Sequence, residues 1–482
     1  IFHKQIVSLV MENSEKKIAS LFKKWSGFNP EKIIPLPPSG SSRCYYRVIS
    51  GKKSAIAVSY DQPDETKAFI SFSRHFRRNG LSVPEIYFHT RDFKFYLLED
   101  LGDRILFDVL QEFRLREGFS EKSMDLYRRV LTDLVQFQMV AGKSADFSVC
   151  FPVSHFDNQA YLWDLNYFKY NFLKLADVPF DEYKLEKDFS RLIEMLLTAD
   201  HSFFVYRDFQ ARNIMIKDGR LVYIDYQGGR KGALHYDVAS LLFQARAQIP
   251  FEKRIELVDY YISHAQKIDS ASVRDFWQHF YRFALIRVLQ TLGAYGYRGL
   301  YEKKQHFIES IPFALENAKW LIENNVLEDF PELKKCLQAS VSGDYEKKWI
   351  SPKLVLQINS FSYKRGIPAD LSGNGGGFVF DCRGLPNPGR KKEYMQLTGK
   401  DQPVIEFLNQ FDEVNQFIDH AYQLVVKTTE VYVRRGFTSL MVSFGCTGGR
   451  HRSVFCAERF SELFSQIPGL KIELRHLEQE KM

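Results

Sequence analysis

Three oxygen-bearing side chains, spaced so that they can converge, constrain this chain more than any other feature. Asp208 and Asn213 lie five residues apart in the run Tyr206-Arg207-Asp208-Phe209-Gln210-Ala211-Arg212-Asn213. Asp225 ends the short apolar run Leu221-Val222-Tyr223-Ile224. One loop can turn the first two side chains towards a common point, and a neighbouring strand can deliver the third. Hard oxygen donors of this kind suit Mg²⁺, which keeps part of its water shell when bound. On its own, an aspartate followed five residues later by an asparagine describes a polar loop whose Asn caps a turn just as well. The surroundings decide between the two readings.

A chain of 482 residues exceeds one ordinary core, so two or three domains are expected, and 45 % hydrophobic residues supply the apolar area to fold them. The periodicity predicts an amphipathic helix over residues 11–27, with Leu21, Phe22 and Trp25 on one face. A small-residue loop, Ser39-Gly40-Ser41-Ser42-Arg43, precedes strands at Tyr45–Ile49 and Ala55–Tyr60. A helix follows at Glu65–Arg78, with Phe69, Phe72 and Phe76 on one face. A strand at Phe93–Leu98 then runs into Glu99-Asp100-Leu101-Gly102. That order describes an α+β lobe. Residues 103–200 are helical in pattern, and long helical segments are predicted over 236–266, 274–295 and 304–325.

The small and charged residues from Ser340 to Lys348 predict a linker. Beyond it, strands at Leu354–Phe361, Phe378–Asp381, Ser439–Phe444 and Lys471–Leu477 alternate with helices at Val414–Val433 and His451–Phe464. A flexible loop is expected at Gly373–Gly377. Alternation of this kind predicts a small α/β domain with a mainly parallel sheet. The expected domains are residues 1–339 and 352–482.

Six scattered cysteines without a paired framework suit a reducing compartment, and the expectation is a cytoplasmic protein. No signal peptide is evident and no apolar run is long enough to span a bilayer, so no membrane partner is expected. The chain opens at Ile1 rather than Met, which points to a start beyond the given sequence. The net charge of +7 is a weak argument for nucleic acid. Residues 352–482 hold 17 Lys and Arg against 14 Asp and Glu, a net of +3, so anion or RNA affinity there has to come from local clustering.

Phosphoryl transfer asks a protein for positioning and charge neutralisation. Asp208 is assigned as the base or hydroxyl-positioning group, and Asn213 and Asp225 as metal ligands. Residues from about 20 to 330 resemble the aminoglycoside phosphotransferase family of kinase-like proteins. More narrowly, they are similar to the anomeric kinases of N-acetylmuramate and N-acetylglucosamine. The carrying segments are Ser39–Val48, Leu98–Arg104, Arg207–Asn213, Ile224–Gln227 and His235–Leu242. The resemblance implies a protein-kinase-like bilobal α+β fold with ATP and Mg²⁺ in the cleft. Nucleotide contacts are implied at Gly40, Ser41, Ser42 and Arg43 and at a hinge near Glu99 and Leu101, with a buried Asp237 holding the catalytic loop.

Two departures from the family stand out. Tyr206 replaces the usual histidine, and the strand Ser54–Ser59 contains no phosphate-binding lysine, which leaves Arg43 or Arg47 to supply that charge. A nucleotide-binding pseudokinase acting as an adapter is the alternative these departures raise. The acceptor is expected to be a sugar or amino sugar, met by Trp163, Asp164 and Tyr167, with Tyr161 and Phe168 on the same helix.

A second site is predicted at Gly445-Cys446-Thr447-Gly448-Gly449-Arg450-His451-Arg452-Ser453, between a strand and a helix. Glycines let backbone N–H groups converge on an anion, and a helix N-terminus adds a positive pole. The spacing from Cys446 to Arg452 also fits a thiol phosphatase, for which Asp381 and Asp401 are the candidate acids. A longer match favours binding. Residues 352–482 resemble the C-terminal domain of the RNase adapter protein RapZ, through Asp381–Pro388, Leu397–Val404 and Gly445–Val454. That resemblance implies a site for a phosphorylated metabolite, an amino-sugar phosphate, and a link to cell-wall recycling. An RNA role is implied less, because the P-loop half that normally precedes this domain is replaced.

Overall fold

The computed structural model describes residues 2–37, 42–342, 354–370, 376–435, 437–465, 467 and 470–479, with only the backbone described at 2–13, 305, 434 and 435. The chain divides into two compact units, Ile1–Lys303 with Ser310–Glu346, and Lys304–Glu309 with Lys347–Met482. No helix among the described residues is long and apolar enough to cross a membrane.

The first unit opens with α1 (Phe2–Ser26), which starts earlier than the periodicity predicts. An antiparallel sheet follows, in the order β1-β2-β3-β5-β4: β1 (Lys32–Pro35), β2 (Cys44–Ser50), β3 (Lys53–Ser59), β4 (Ile86–His89) and β5 (Phe95–Glu99). β1 and β4 escape a sequence reading because four-residue edge strands show little alternation. Gly51, at φ +57°, makes the tight turn between β2 and β3. Ile18, Leu21 and Phe22 of α1 pack on Val48, Ala55, Ala57 and Leu97 of this sheet. Between β3 and β4 runs α2 (Pro63–Arg78). Pro63, Asp64 and Glu65 in its first turn and Arg77 and Arg78 in its last suit the helix dipole.

The helical part contains α3 (Leu106–Glu117), α4 (Glu121–Val135), α5 (Asn158–Phe168) and α6 (Glu182–Leu197). It continues through α7 (His235–Leu242), α8 (Phe251–Ala265), α9 (Phe276–Tyr295), α10 (Ile311–Glu323) and α11 (Pro331–Ser340). Two strand pairs lie among them, β6 (Phe203–Val205) with β9 (Arg230–Gly232), and β7 (Ile214–Lys217) with β8 (Arg220–Tyr223). The helical run expected over 236–266 is broken between α7 and α8, where Gln248 takes φ +48° and Pro250 ends the gap. The run expected over 304–325 is one turn, Gln305–Ile308, followed by α10 with Pro312 in its first turn. Ser340, placed in the linker by sequence, closes α11, its hydroxyl bonded to the Cys336 carbonyl at 2.8 Å. Residues 343–348 of the expected linker lie outside the described residues. The N-terminus of α11 is held by Asp188, whose carboxylate accepts the N–H groups of Glu332 and Leu333 at 2.8 and 2.9 Å.

In the second unit the sheet is entirely parallel, in the order β11-β12-β10-β13: β10 (Leu354–Ser362), β11 (Gly377–Asp381), β12 (Ser439–Cys446) and β13 (Leu470–His476). The helices are α12 (Gln402–Asn409), α13 (Asp412–Arg435) and α14 (Arg452–Phe464). The central strand β12 is buried along its whole length, as parallel strands covered on both faces are. Residues 373–375 of the expected glycine loop lie outside the described residues, and Gly377 begins β11.

Helix α9 crosses the end of α5 at backbone contact. A β-carbon on Gly293 would lie 2.8 Å from Phe168 N, and one on Gly296 would lie 1.9 Å from the Asn171 carbonyl oxygen. Backbone cannot yield as a flexible side chain can. Gly296→Ala is therefore expected to destabilise the first unit by about 3 kcal/mol or more, read as a fall in thermal midpoint, whereas Gly219→Ala in an open turn is expected to cost less.

Candidate functional site

The loop carrying Asp208 hangs on one buried carboxylate. Asp237, in the first turn of α7, has no exposed surface. Its two oxygens accept the backbone N–H groups of Tyr206 at 2.7 Å and Arg207 at 2.9 Å, and the Gln138 amide at 3.0 Å. These bonds hold Arg207 at φ +78°, a left-handed conformation a non-glycine residue keeps only when its surroundings impose it. Tyr206 is buried, and its hydroxyl donates to the Ile224 carbonyl. It thereby ties the loop to the segment that carries Asp225.

Asn213 closes the arrangement. Its amide nitrogen donates to the Asp208 carbonyl at 2.8 Å and to Asp225 Oδ2 at 3.2 Å. Asp225 follows β8 by two residues rather than ending it, at φ +72°, and its Oδ1 accepts from Gln227 at 2.8 Å. Burial pushes the Asp225 carboxyl up, and the nearby Asp208 charge pushes it further. The three residues singled out by spacing are thus brought to one place, across a loop and a strand end.

Of the two candidate cations, Arg43 reaches this place and Arg47 does not. Arg47 bonds Asp100 and Asp103. Arg43 stands just before β2 with its side chain 5 % exposed, and one guanidinium nitrogen lies 3.7 Å from Asp225 Oδ1. Its other terminal nitrogen pairs with Glu65 of α2, and the Tyr60 ring lies under it at 4.7 Å. The Tyr60 hydroxyl donates to the second Glu65 oxygen. Glu65 and Tyr60 were not predicted. The one signal for Glu65 was an acid in the first turn of the helix that follows β3. Helix α2 is locked to the Asp225 segment as well: Phe69 stacks on Tyr226 at 5.1 Å, and Ser73 shares a hydrogen bond with the Tyr226 hydroxyl at 2.6 Å.

The remaining sequence candidates divide. Glu99 ends β5 and pairs with Lys217 at 2.8 Å, while Leu101 is buried with Met215 and Val222 in a small apolar cluster. Ser42 is exposed ahead of β2, and Gly40 and Ser41 lie outside the described residues. On α5, Tyr161 and Phe168 are core residues, Trp163 is 43 % exposed, Tyr167 is half-buried, and Asp164 is buried against the Tyr236 hydroxyl at 3.1 Å.

In the second unit, Cys446 ends β12, Thr447 and Gly448 are exposed, and Gly449 sits at φ +66° beside the backbone of Phe361 and Ser362. The three cationic side chains expected to grip an anion already have backbone partners. Arg450 donates to the Gln396 carbonyl at 3.1 Å, and His451 bonds the Tyr394 carbonyl at 2.9 Å. One nitrogen of the buried Arg452 donates to the carbonyls of Arg383 and Leu385 at 2.7 and 3.0 Å. Ser453 is buried with its hydroxyl 3.1 Å from Cys446 Sγ. The phosphatase arrangement is not assembled, because Cys446 is buried, Asp381 is paired with Arg383, and Asp401 bonds Thr398.

Removing the loop anchor tests this architecture. Asp237→Ala leaves two backbone N–H groups without acceptors, each costing about 1–3 kcal/mol. The expected outcome is a lower thermal midpoint for the first unit and an unchanged transition for the second.

Residues 33–276 match the family model described as the phosphotransferase enzyme family, and residues 354–480 match that of the RapZ C-terminal domain. A nucleotide-binding protein of Glaesserella parasuis serovar 5 (strain SH0165) is 34 % identical over 178 residues, covering 37 % of this chain and 57 % of that protein. One from Burkholderia mallei (strain SAVP1) is 41 % identical over 142 residues, 29 % of this chain and 46 % of that protein. The chain spans about half the length of the curated relatives it matches. Among solved structures, a choline kinase of Cryptosporidium parvum Iowa II is 14 % identical with a TM-score of 0.46, covering 67 % of this chain and 99 % of its own. An ethanolamine kinase of Plasmodium vivax is 12 % identical with a TM-score of 0.45, covering 60 % of this chain and 83 % of its own. The first family model alone accounts for half of the sequence, and the chain belongs to the phosphotransferase enzyme family, with a RapZ C-terminal domain following the phosphotransferase domain.

Proposed function

We propose that the first unit is an ATP- and Mg²⁺-dependent kinase that phosphorylates a hydroxyl of a sugar or amino sugar. The observation that carries this reading is the meeting of Asp208, Asn213 and Asp225, with the Arg43 guanidinium 3.7 Å from Asp225. Asp208 positions the acceptor hydroxyl and takes its proton. With Lys53 at the start of β3 spent on the Ser26 carbonyl, Arg43, paired with Glu65, holds phosphate oxygens in place of a strand lysine. The apolar cluster of Leu101, Met215 and Val222 is suited to a nucleotide base, and Glu99 and Leu101 form the hinge beside it.

The donor set fits a divalent cation. Asn213 spends its amide nitrogen on Asp208 and Asp225, which leaves its amide oxygen as a ligand beside the Asp225 carboxylate. When bound, Mg²⁺ supplies charge neutralisation on the phosphates. Among the described residues no group of three or more His, Cys, Asp or Glu side chains is arranged to hold a metal ion.

We assign the second unit a regulatory role, binding a phosphorylated metabolite over Thr447, Gly448 and Gly449. With the arginines engaged elsewhere and the first turn of α14 buried, the role falls to the backbone of the exposed Thr447 and Gly448.

Two measurements test the kinase reading. ATP turnover by the full chain over a panel of sugars is expected to drop at least about 100-fold in Asp208→Asn. Equal turnover in the variant removes Asp208 from the mechanism. Asn213→Ala is expected to raise the Mg²⁺ concentration giving half-maximal rate by about tenfold or more; an unchanged requirement takes Asn213 out of the metal site.

A further inference from the structure

The glycine turn of the second unit carries a carboxylate of the protein's own. Strand β13 ends at His476, whose ring bonds the Ser360 hydroxyl at 2.8 Å and Glu458 at 3.0 Å. The chain then turns, the Leu477 N–H donating to the Ser360 carbonyl and the Gln479 N–H to that of His476. This lays Glu478 across Gly449. A β-carbon on Gly449 would lie 2.4 Å from Glu478 Cγ and 2.9 Å from the backbone nitrogen of Ser362. Glycine is therefore required at 449 twice, by its φ of +66° and by what is packed against it. Ser362 in turn donates its hydroxyl to the Thr447 carbonyl at 2.7 Å, so β10, the glycine turn and the chain after β13 meet at one place.

Glu478 is 13 % exposed and pairs with Arg365, whose Nε lies 3.0 Å from Oε2. Arg365 ends the short turn Tyr363–Arg365 that follows β10, and its side chain is 56 % exposed. Its terminal nitrogens engage no other group among the described residues. The other cations around the turn are committed. Arg383 meets Asp381 through two nitrogens and lies over the Tyr363 ring at 4.0 Å, Lys400 pairs with Glu458, and Arg450 and Arg452 are spent on carbonyls. A negative charge brought to the exposed Thr447 and Gly448 is thus repelled by Glu478 and attracted by Arg365. An ion pair with a solvent-exposed partner contributes little. A doubly charged phosphate, which a guanidinium fork grips through two oxygens, displaces a single carboxylate held by one nitrogen.

We infer that Arg365 is the ligand-binding cation of this site and that Glu478 is its resident counter-ion, displaced when a phosphomonoester dianion binds. The inference rests on the reading of the turn as a phosphate site. It adds the residue that selects a doubly charged ligand and the acid that competes with that ligand.

The test is calorimetry on the full chain with a hexose 6-phosphate, and with the free hexose as the uncharged control. Wild type is expected to bind the phosphate and not the hexose. Arg365→Gln is expected to weaken binding by about tenfold or more, with Arg365→Lys falling between it and wild type. Glu478→Gln is expected to tighten binding by about threefold, by removing the competitor. That gain is expected to vanish in the Arg365→Gln background, because the two residues act through one another. Gly448→Pro, which takes a backbone N–H out of the turn, separates the inference from the reading beneath it. If Gly448→Pro abolishes binding while Arg365→Gln binds like wild type, the phosphate site stands and the inference falls. Binding that is unchanged or weaker in Glu478→Gln overturns the counter-ion role. Binding that neither Gly448→Pro nor Arg365→Gln alters lies elsewhere on the chain and overturns both, as does a wild type that binds no hexose phosphate.

Discussion

The grip of Asp237 on the backbone of Tyr206 and Arg207 is the interaction on which the rest of the first unit depends. A loop has no ladder of its own to satisfy its N–H groups, and buried N–H groups must find acceptors. Here a single carboxylate, itself fully buried and steadied by Gln138, supplies them. Arg207 can then stay at a positive φ, Tyr206 can reach across to Ile224, and Asn213 can bridge the Asp208 carbonyl to Asp225. Chemistry that depends on sub-ångström placement of oxygens needs a scaffold over-determined in this way.

The cation of the site shows how a requirement of charge outlasts its usual location. The strand expected to bring a lysine to the phosphates, β3, has one only at its first residue, Lys53, whose ammonium donates to the Ser26 carbonyl at 2.7 Å, and Arg43, before the preceding strand, takes up a position between Glu65 and Asp225. An arginine there brings a planar fork in place of a point charge, so one edge can hold Glu65 while another faces the site. The cost is a buried guanidinium, offset by Glu65, Asp225 and the face of Tyr60. Tyr60 in turn bonds the second oxygen of Glu65, so the carboxylate is held from both sides.

In the second unit the same residue types serve a different end. Arg450, His451 and Arg452 read as anion donors along the sequence, yet all three reach carbonyls between Arg383 and Gln396. They fasten a segment built of short 3₁₀ turns, and the buried Arg452 does so with two carbonyls at once. What stays open towards solvent is Thr447 and Gly448 of the turn, while Gly449 and the first turn of α14 are buried.

Much of this was legible without coordinates. The alternation of short apolar runs with helical periods marked the parallel sheet of the second unit, and the spacing of Asp208, Asn213 and Asp225 marked a convergence, because both depend on local repeats and short loops. The edge strands β1 and β4, the break between α7 and α8, and the closing turn of α11 were missed or misplaced. Their limits are set by pairing and packing partners distant in sequence. The choice of Arg43 over Arg47 and the part played by Glu65 belong to the tertiary structure alone. Each depends on which side chains from separate elements come to face one another in a space without water, and there an unmet charge or hydrogen bond is expensive enough to decide the arrangement.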